Sequence, residues 1–354
     1  MDDLIEALRA GKVTRVRAAI KSDPKAARHA RVMVEAARLA FQPAAALLHR
    51  AGADLNAIWR GYRPLHALLQ EHPHANNGKP PRHRLEFLDW MLEHGADPEQ
   101  PGAWPPARAI IIAAFVGEPE YIKRLRKAGA TIDGYTGAAL GDRKAVEKAL
   151  RKQPGFARAR DPQGLTALQC AAGSRLPGAA TLNIAGLLLD AGADVRARTK
   201  SWDHDVDAVY LAAGAKNKKV FELLLERGAD PTEALVPALW NATEEFAEIA
   251  LARGAVPDRA VAGNQPLLNN LIRWGQIRQS LWLLDRHANP NLADERGWTA
   301  VHQAASRGNE RMMRAVLEAG GNPALRDKAG RTALDIARTA GRTKLAAMMS
   351  LRAP

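Results

Sequence analysis

The stretch ADERGWTAVHQAASRGNERMMRAVLEAGGNPAL, residues 293–325, contains the pattern that decides the fold. It places one apolar phrase between two glycines and a second apolar phrase before a third glycine. Glycine adopts the left-handed backbone conformation at low cost, and it therefore often ends a helix. The apolar residues between the glycines recur at three- and four-residue intervals, which indicates helices that bury one face. The stretch predicts a turn, a helix, a short connection, a second helix and another turn.

The end of this stretch recurs along the whole chain. Its forms include LLHRAGADLN, MLEHGADP, LLLDAGADV, LLLERGADP and VLEAGGNP, and the first residue of each such triplet lies at positions 52, 95, 129, 192, 228, 254, 287 and 320. The last two intervals are both 33 residues. Self-similarity at this period predicts stacked supersecondary units. We count about eleven units between residues 2 and 352.

A second phrase precedes the other helix of several units. It appears as RPLHAL, LTALQCAA, WTAVHQAA and RTALDIA, at residues 63–68, 165–172, 298–305 and 331–337. Its Thr166, Thr299 and Thr332 are placed to cap the helix that follows. The small alanine pair allows neighbouring helices to approach closely.

Together the two phrases resemble the ankyrin repeat, whose pattern is close to G-x-T-P-L-H-x-A-A followed by L-L-L-x-x-G-A-D. The resemblance covers nearly all the chain, is of bacterial type and includes several degenerate units. It implies an all-α solenoid of stacked helix-turn-helix units, in which short turns between repeats project as fingers. One domain would then span residues 1–354. We place the N-terminal capping unit at residues 1–30, the central repeats at 31–325 and the C-terminal capping unit at 326–354. Two insertions between helices are expected near residues 71–84 and near 173–183.

Large aromatic side chains are the first candidates for contact with a partner, because such residues often anchor interfaces. The resemblance implies a concave surface lined by the fingers and the inner helices. Five aromatic residues fall at or beside finger tips and three on inner helices: Trp59, Tyr62, Trp104, Trp202 and Trp298, then Tyr210, Trp240 and Trp274. The alternative is that a finger tryptophan packs on the next finger.

Seven basic residues approach the fingers and are candidates for contact with an anion: Arg158, Arg160, Arg196, Arg198, Lys200, Arg296 and Arg331. Of these we single out Arg160, Arg198 and Arg296 as candidate site residues. The stretch KSWDHDVDAVYLAAGAKN, residues 200–217, begins with an enlarged finger at 200–206 that contains Trp202, Asp203, His204 and Asp205. Two carboxylates and one imidazole are too few ligands for a metal site without others from elsewhere. We therefore interpret these four residues as a contact loop, and we expect Asp207 to cap the next helix.

Several function classes find no support in the sequence. It has no phosphate-binding glycine loop, nucleophile elbow or paired-cysteine motif, so we predict no catalytic, cofactor-binding or metal-binding residue. No apolar run approaches the roughly 18 residues that a membrane span needs. The single cysteine, Cys170, excludes an intramolecular disulfide and favours a reducing compartment, which we expect to be the cytoplasm.

The net charge of +13 indicates an anionic partner. Our leading hypothesis is a non-enzymatic, monomeric scaffold that recognises an acidic protein or peptide through a concave groove lined by tryptophan and arginine. The alternative is a protein that binds DNA or RNA, since positive charge and aromatic platforms also suit phosphates and bases. That alternative includes recognition or repair of a nucleic-acid lesion.

Overall fold

The computed structural model describes residues 1–70, 80–201, 204–259 and 265–350. These residues contain 22 α-helices, which follow one another as eleven pairs. The pairs are α1 (Asp2–Arg9) with α2 (Val13–Ser22), α3 (Ala30–Arg38) with α4 (Gln42–Arg50), α5 (Pro64–Gln70) with α6 (Arg82–Glu93), α7 (Ala109–Val116) with α8 (Pro119–Lys127), α9 (Gly134–Leu140) with α10 (Arg143–Lys152), α11 (Ala167–Ala172) with α12 (Ala180–Asp190), α13 (Ala208–Ala215) with α14 (Lys218–Glu226), α15 (Leu235–Trp240) with α16 (Glu244–Ala252), α17 (Leu267–Arg273) with α18 (Ile277–Leu284), α19 (Ala300–Arg307) with α20 (Glu310–Glu318), and α21 (Ala333–Thr339) with α22 (Thr343–Ser350).

Shorter elements lie between these pairs. Three 3-10 turns are found at Ala26–Arg28, Phe156–Arg158 and Pro231–Ala234. Two strands, β1 (Thr199–Ser201) and β2 (His204–Val206), pair into a two-stranded sheet. The enlarged finger is therefore a β-hairpin, whose Trp202 and Asp203 lie outside the described residues.

The chain divides into two compact units. The first is Met1–Trp202 with Val206–Gly228, and the second is Asp203–Asp205 with Ala229–Pro354. In the first unit, the first helices of successive pairs, from α1 to α13, pack on one another in chain order. In the second unit, α17, α19 and α21 stack in the same way, and so do α18, α20 and α22. The predicted all-α solenoid of stacked helix pairs is confirmed.

Polar side chains begin the first helices as the sequence predicts. Thr166 and Thr332 accept hydrogen bonds from the amides three residues later, both at 3.2 Å. Asp207 Oδ1 accepts from the amide of Tyr210 at 2.9 Å and caps α13. These bonds satisfy amides that have no partner within the helix.

A helix begins inside each of the two stretches in which the sequence predicts an insertion. Helix α6 starts at Arg82, and residues 71–79 lie outside the described residues. Helix α12 starts at Ala180, which leaves Gly173–Ala179 as the second connection. The sequence lacks a capping residue at either start, and its periodicity alone did not place these boundaries.

At the C-terminal ends of several first helices, an arginine side chain from a neighbouring helix pair donates a hydrogen bond to a backbone carbonyl. Arg84, on α6, donates from Nη2 to the carbonyl of Arg38 at 3.1 Å. Arg175, in the link before α12, donates from Nη2 to the carbonyl of Gly214 at 2.7 Å. Arg342 donates to a carbonyl in the last turn of α19. A guanidinium suits these sites, since the last carbonyls of a helix have no intrahelical donor and carry partial negative charge.

Three finger turns share one backbone geometry, built around Asp161, Asp294 and Asp327. In each, the aspartate amide donates to the carbonyl four residues later, at 2.8, 2.9 and 2.8 Å respectively. Each Oδ1 accepts from the amides two and four residues later, at 2.8 to 3.0 Å. The aspartate therefore folds the turn, and its second oxygen, Oδ2, is left for other contacts.

Candidate binding surfaces

The finger before α5 exposes a mixed apolar and basic surface. The backbone groups of Trp59 and Tyr62 form two hydrogen bonds with each other, at 2.9 and 3.0 Å, which close a tight turn. The Trp59 ring is half-buried and lies 4.9 Å from the guanidinium carbon of Arg60 and 5.6 Å from that of Arg31. Ile58, which the sequence did not single out, is 53% exposed beside it. We call these four residues, Ile58, Trp59, Arg60 and Arg31, the first-finger surface.

Trp104 packs on this same finger from the next pair. Its Nε1 donates to the carbonyl of Arg60 at 3.1 Å. Its ring covers Gly61 so closely that a Cβ on that glycine would lie 2.5 Å from the indole. Gly61 also has a φ of 84°, so glycine is required there for two reasons. Trp104 therefore packs on a neighbouring finger, which is the alternative to contact with a partner.

Trp298 and Arg296 are also used within the stack. Trp298 Nε1 donates to Asp327 Oδ2, in the next finger, at 3.1 Å. The guanidinium carbon of Arg296 lies 4.3 Å from the Trp298 ring centroid, and its Nη2 donates to Asp294 Oδ2 at 2.8 Å. Both side chains therefore stabilise the fingers that were predicted to receive a partner.

Among the remaining finger candidates, Arg160 is held by contacts within the stack. Arg160 Nη1 donates to the carbonyl of Gly164 at 2.7 Å and to Thr199 Oγ1 at 3.1 Å, which ties two fingers together. The other described candidates are Arg198 and Asp205, which are exposed, and His204 and Tyr210, which are half-buried. The predictions for Trp202 and Asp203 concern residues that are not described.

Trp240 and Trp274 form a pair at the other end of the first helices. Trp240 is the last residue of α15, and Trp274 follows the last residue of α17. Their rings are 4.9 Å apart at an interplanar angle of 83°, and the residues are 48% and 47% exposed. The fingers precede the first helices, so Trp298 and the Trp240–Trp274 pair occupy opposite ends of these helices.

Two arginines that the sequence prediction missed lie beside this pair. Arg273 is exposed and directly precedes Trp274. Arg307, the last residue of α19, extends toward the preceding turn: a Cβ on Gly275 would be 3.7 Å from its Nη2. Aligning Trp274 and Arg307 on the glycines that follow them, Gly275 and Gly308, would have shown that they share a position in consecutive units.

Charge differs between the two ends of the first helices in the second unit. We define its turn edge as residues 240–245, 273–278, 307–311 and 338–344, which carry seven basic and three acidic residues. We define its finger side as residues 229–234, 255–259, 288–299 and 321–332, which carry five basic and six acidic residues. The turn edge is therefore the more positively charged of the two sides.

Two buried histidines and the cysteine take part in packing. Burial lowers the pKa of His66 to about 4, and its ring nitrogen Nε2 lies 2.9 Å from the carbonyl of Ala107. Burial also lowers the pKa of His302, whose Nδ1 is 2.9 Å from Thr299 Oγ1. Burial raises the pKa of the Cys170 thiol well above its usual value. The thiolate that a nucleophile requires is therefore disfavoured at Cys170.

Neither a metal centre nor a membrane span is found in the part of the chain that the structure describes. Within residues 1–70, 80–201, 204–259 and 265–350, no group of three histidine, cysteine or acidic side chains is arranged to hold a metal ion. No helix in these ranges combines the length and apolar character needed to cross a bilayer.

Comparison with known proteins identifies the repeat. A family model described as ankyrin repeats, in three copies, matches residues 263–350, and a single ankyrin repeat model matches residues 163–200. A search of curated proteins finds no match to the chain. The matched segments contain the complete turn, helix and glycine pattern, and the described helix pairs repeat it in both units. The number of repeats and their bacterial type stay predictions. Ankyrin repeats act in general as scaffolds for protein–protein interaction, and the chain is an ankyrin-repeat protein.

Proposed function

We propose that the protein is a non-enzymatic scaffold that binds an acidic protein or peptide, and that the first-finger surface is one of its contact sites. The observation that carries this proposal is the exposed Ile58 next to Trp59, with Arg31 and Arg60 against the indole. Aromatic and apolar side chains flanked by arginine are the residue types that contribute most to binding energy in protein interfaces.

The two arginines are available to a carboxylate. Arg60 makes no ion pair with any described residue, and its carbonyl, rather than its guanidinium, binds Trp104. Arg31 approaches Asp2 at 3.8 Å, but the Asp2 side chain is 88% exposed. Exposed pairs of this kind contribute at most about 1 kcal/mol. A partner carboxylate that is partly desolvated against Trp59 would replace this pair at little cost.

Nucleic-acid binding is less well supported by the same contacts. Arg160 and Arg296, which were among the residues expected to meet phosphates, are hydrogen-bonded within the fingers. Binding to nucleic acid therefore becomes an alternative outcome of the test.

The test is a selection of random 12-residue peptides displayed on phage, followed by fluorescence anisotropy with the enriched peptides. We expect sequences rich in Asp and Glu around an apolar residue. We expect Trp59→Ala to weaken the affinity of some of them at least tenfold. Leu39→Ala is the matched control, since Leu39 is an exposed apolar residue outside the first-finger surface.

Two results would contradict the proposal. One is a selection that returns no acidic enrichment. The other is a single-stranded oligonucleotide that binds more tightly than every selected peptide, with a steep dependence on salt concentration.

A further inference from the structure

We propose that the second unit binds an acidic peptide segment at its turn edge, through the Trp240–Trp274 pair and the adjacent Arg273 and Arg307, rather than in its fingers. This inference rests on the proposed function and names a second surface for it. The surface lies at the C-terminal ends of the first helices, whereas the expected groove includes the fingers at their N-terminal ends.

The aromatic pair has the exposure of an interface anchor. Trp240 and Trp274 are both about half exposed, while Trp298, on the finger side of the same unit, is fixed by Asp327 and Arg296. The edge-to-face contact between the two exposed indoles also restricts their rotamers before any partner arrives. Less side-chain entropy is then lost on binding, which favours affinity.

The arginine at the turn after Trp274 is less tightly held than the arginine at the next turn. At the neighbouring turn, the Arg342 guanidinium crowds Gly308, where a Cβ would lie 2.8 Å from Nε, and donates to a carbonyl of α19. At Gly275 the corresponding side chain, Arg307, stays 3.7 Å from such a Cβ and makes no hydrogen bond to a described residue. The guanidinium beside the indoles is therefore free to bind an anion.

The charges of this edge select for carboxylates. Arg273 and Arg307 form no ion pair with the residues that the structure describes. Two of the three acids on the edge already have basic partners: Glu244 lies 3.1 Å from Arg278, and Glu310 lies 3.6 Å from Lys344. Two guanidinium groups that form no ion pair with a described residue therefore belong to the same edge as the exposed indoles, and each can donate to a carboxylate in bidentate geometry.

A peptide fits this arrangement better than a nucleic-acid strand. Glu244 and Glu245 open α16 a few residues after Trp240, so basic residues do not continue without interruption along this edge, whereas a nucleic-acid backbone carries one charge at every nucleotide. A peptide can space its carboxylates to meet Arg273 and Arg307 and place an apolar side chain against the indoles between them. We therefore assign the site to an acidic peptide with one apolar or aromatic anchor.

The experiment uses the full chain and the peptides selected on it. Each peptide is titrated by fluorescence anisotropy against the wild type and the variants Trp59→Ala, Trp274→Ala and Arg307→Glu. We expect one class of peptides to lose at least tenfold in affinity with Trp274→Ala and with Arg307→Glu, and to be unaffected by Trp59→Ala. Val256→Ala is the control, because Val256 is 50% exposed in the same unit but away from the turn edge.

The variants separate binding from folding. Arg307→Glu replaces an exposed side chain without altering the indoles, and Trp274→Phe keeps an aromatic ring, so both should keep the wild-type circular dichroism. We expect Trp274→Phe to restore part of the affinity that Trp274→Ala loses.

The outcomes distinguish this inference from the proposed function. If acidic peptides bind but none is weakened by Trp274→Ala or Arg307→Glu, the turn-edge site is wrong and the scaffold proposal stands. If no peptide is enriched, both are wrong. Binding of a single-stranded oligonucleotide that Arg307→Glu abolishes, with no peptide sensitive to that change, would also overturn the inference.

Discussion

The junction between finger and first helix at α19, in the second unit, pairs two polar atoms that the matching junctions at α11 and α5, in the first unit, leave unpaired. In the second unit, Asp294 Oδ2 accepts from Arg296, and His302 Nδ1 lies against a threonine hydroxyl. In the first unit, Asp161 Oδ2 and His66 Nδ1 are buried without a hydrogen-bond partner among the described residues. The backbone geometry is nevertheless the same around all three aspartates.

The difference shows that a degenerate repeat can keep its turn while losing the side chains that complete it. Where Asp294 has Arg296 two residues later, Asp161 has Gln163. Where His302 has Thr299 three residues earlier, His66 has Arg63. Each substitution leaves one buried polar atom unpaired, which costs stability and makes that stability depend on pH.

The largest expected effect is on the pH dependence of the first unit. Burial lowers the pKa of His66 from 6.5 to about 4, so the neutral ring stabilises the fold above pH 6.5. This stabilisation is lost as the pH falls from 6.5 to about 4, and the pKa shift corresponds to about 3 kcal/mol. His66→Gln should reduce the fall in the free energy of unfolding between pH 6.5 and pH 4 by about 3 kcal/mol, because glutamine does not titrate in this range. Glutamine is a suitable replacement, since Gln169 occupies the same position in α11 and donates to two carbonyls.

The measurement is urea unfolding at pH 7 and pH 4, followed by circular dichroism. An equal loss of stability in the wild type and in His66→Gln would show that this histidine does not control the acid response.

The second prediction compares asparagine substitutions in the two turns. Asp294→Asn should lower the free energy of unfolding by about 1.5 kcal/mol, because Arg296 loses a charge-assisted acceptor that is itself buried. Asp161→Asn keeps the two backbone bonds and has no guanidinium to lose, so the change should stay below about 0.5 kcal/mol. Urea unfolding of both variants at pH 7 checks the difference, and equal costs would refute the comparison.

The third prediction concerns opposite pH responses of two aspartates. Hydrogen bonds from the backbone and side chain of Arg331, and from Trp298, hold the pKa of Asp327 at about 2 despite the opposing effect of desolvation. Its stabilisation is therefore present above about pH 4 and fades between pH 4 and pH 2. Desolvation raises the pKa of Asp161, so its ionisation costs stability as the pH rises above 3.8.

Thermal unfolding between pH 3 and pH 7 tests this pair. Asp327→Asn should be most destabilising at pH 7 and least at pH 3. The benefit of Asp161→Asn should instead increase as the pH rises. Parallel pH profiles for the two variants would contradict the assignment.

The smallest expected effect comes from restoring the missing partner. Gln163→Arg places a guanidinium where Arg296 stands in the other turn, and its bond to Asp161 Oδ2 should add about 0.5 kcal/mol. The matched control is Gln163→Met, which has similar length and no charge. Arg296→Gln is the reverse change in the other turn and should lower the free energy of unfolding. A Gln163→Arg variant no more stable than Gln163→Met would show that Oδ2 is not accessible to this side chain.

Most of the fold could be predicted from the sequence, because glycine spacing and apolar periodicity act locally. The positions of Gly308 and Gly320, with the threonine caps, were enough to place the helices in the regular units. Boundaries inside the insertions were not predictable, since α6 and α12 begin without a capping side chain. Their starts depend on packing that the pattern does not contain.

The surfaces were less predictable than the helices. The sequence identified Trp104 and Trp298 as finger residues but did not show that each is used by a neighbouring finger, because that depends on distances between units of the stack. It placed Trp240 and Trp274 on inner helices but did not show that they lie at the ends of these helices. For Trp240 the reason is that the turn before α15 is shortened and contains a 3-10 segment. Exposure at the end of a short helix depends on such shifts of a few residues.

The arginines that reach from one helix pair to a carbonyl of another have a consequence for modularity. Arg84, Arg175 and Arg342 occupy different places in their repeats, so each contact exists only between its own two neighbours. If a helix pair were exchanged or duplicated, a guanidinium group and a carbonyl at a helix end would both lose their hydrogen-bond partner, even where the backbone of the two pairs matched. The helix pairs of this protein are therefore not interchangeable, because single arginine side chains make each pair specific for its neighbour.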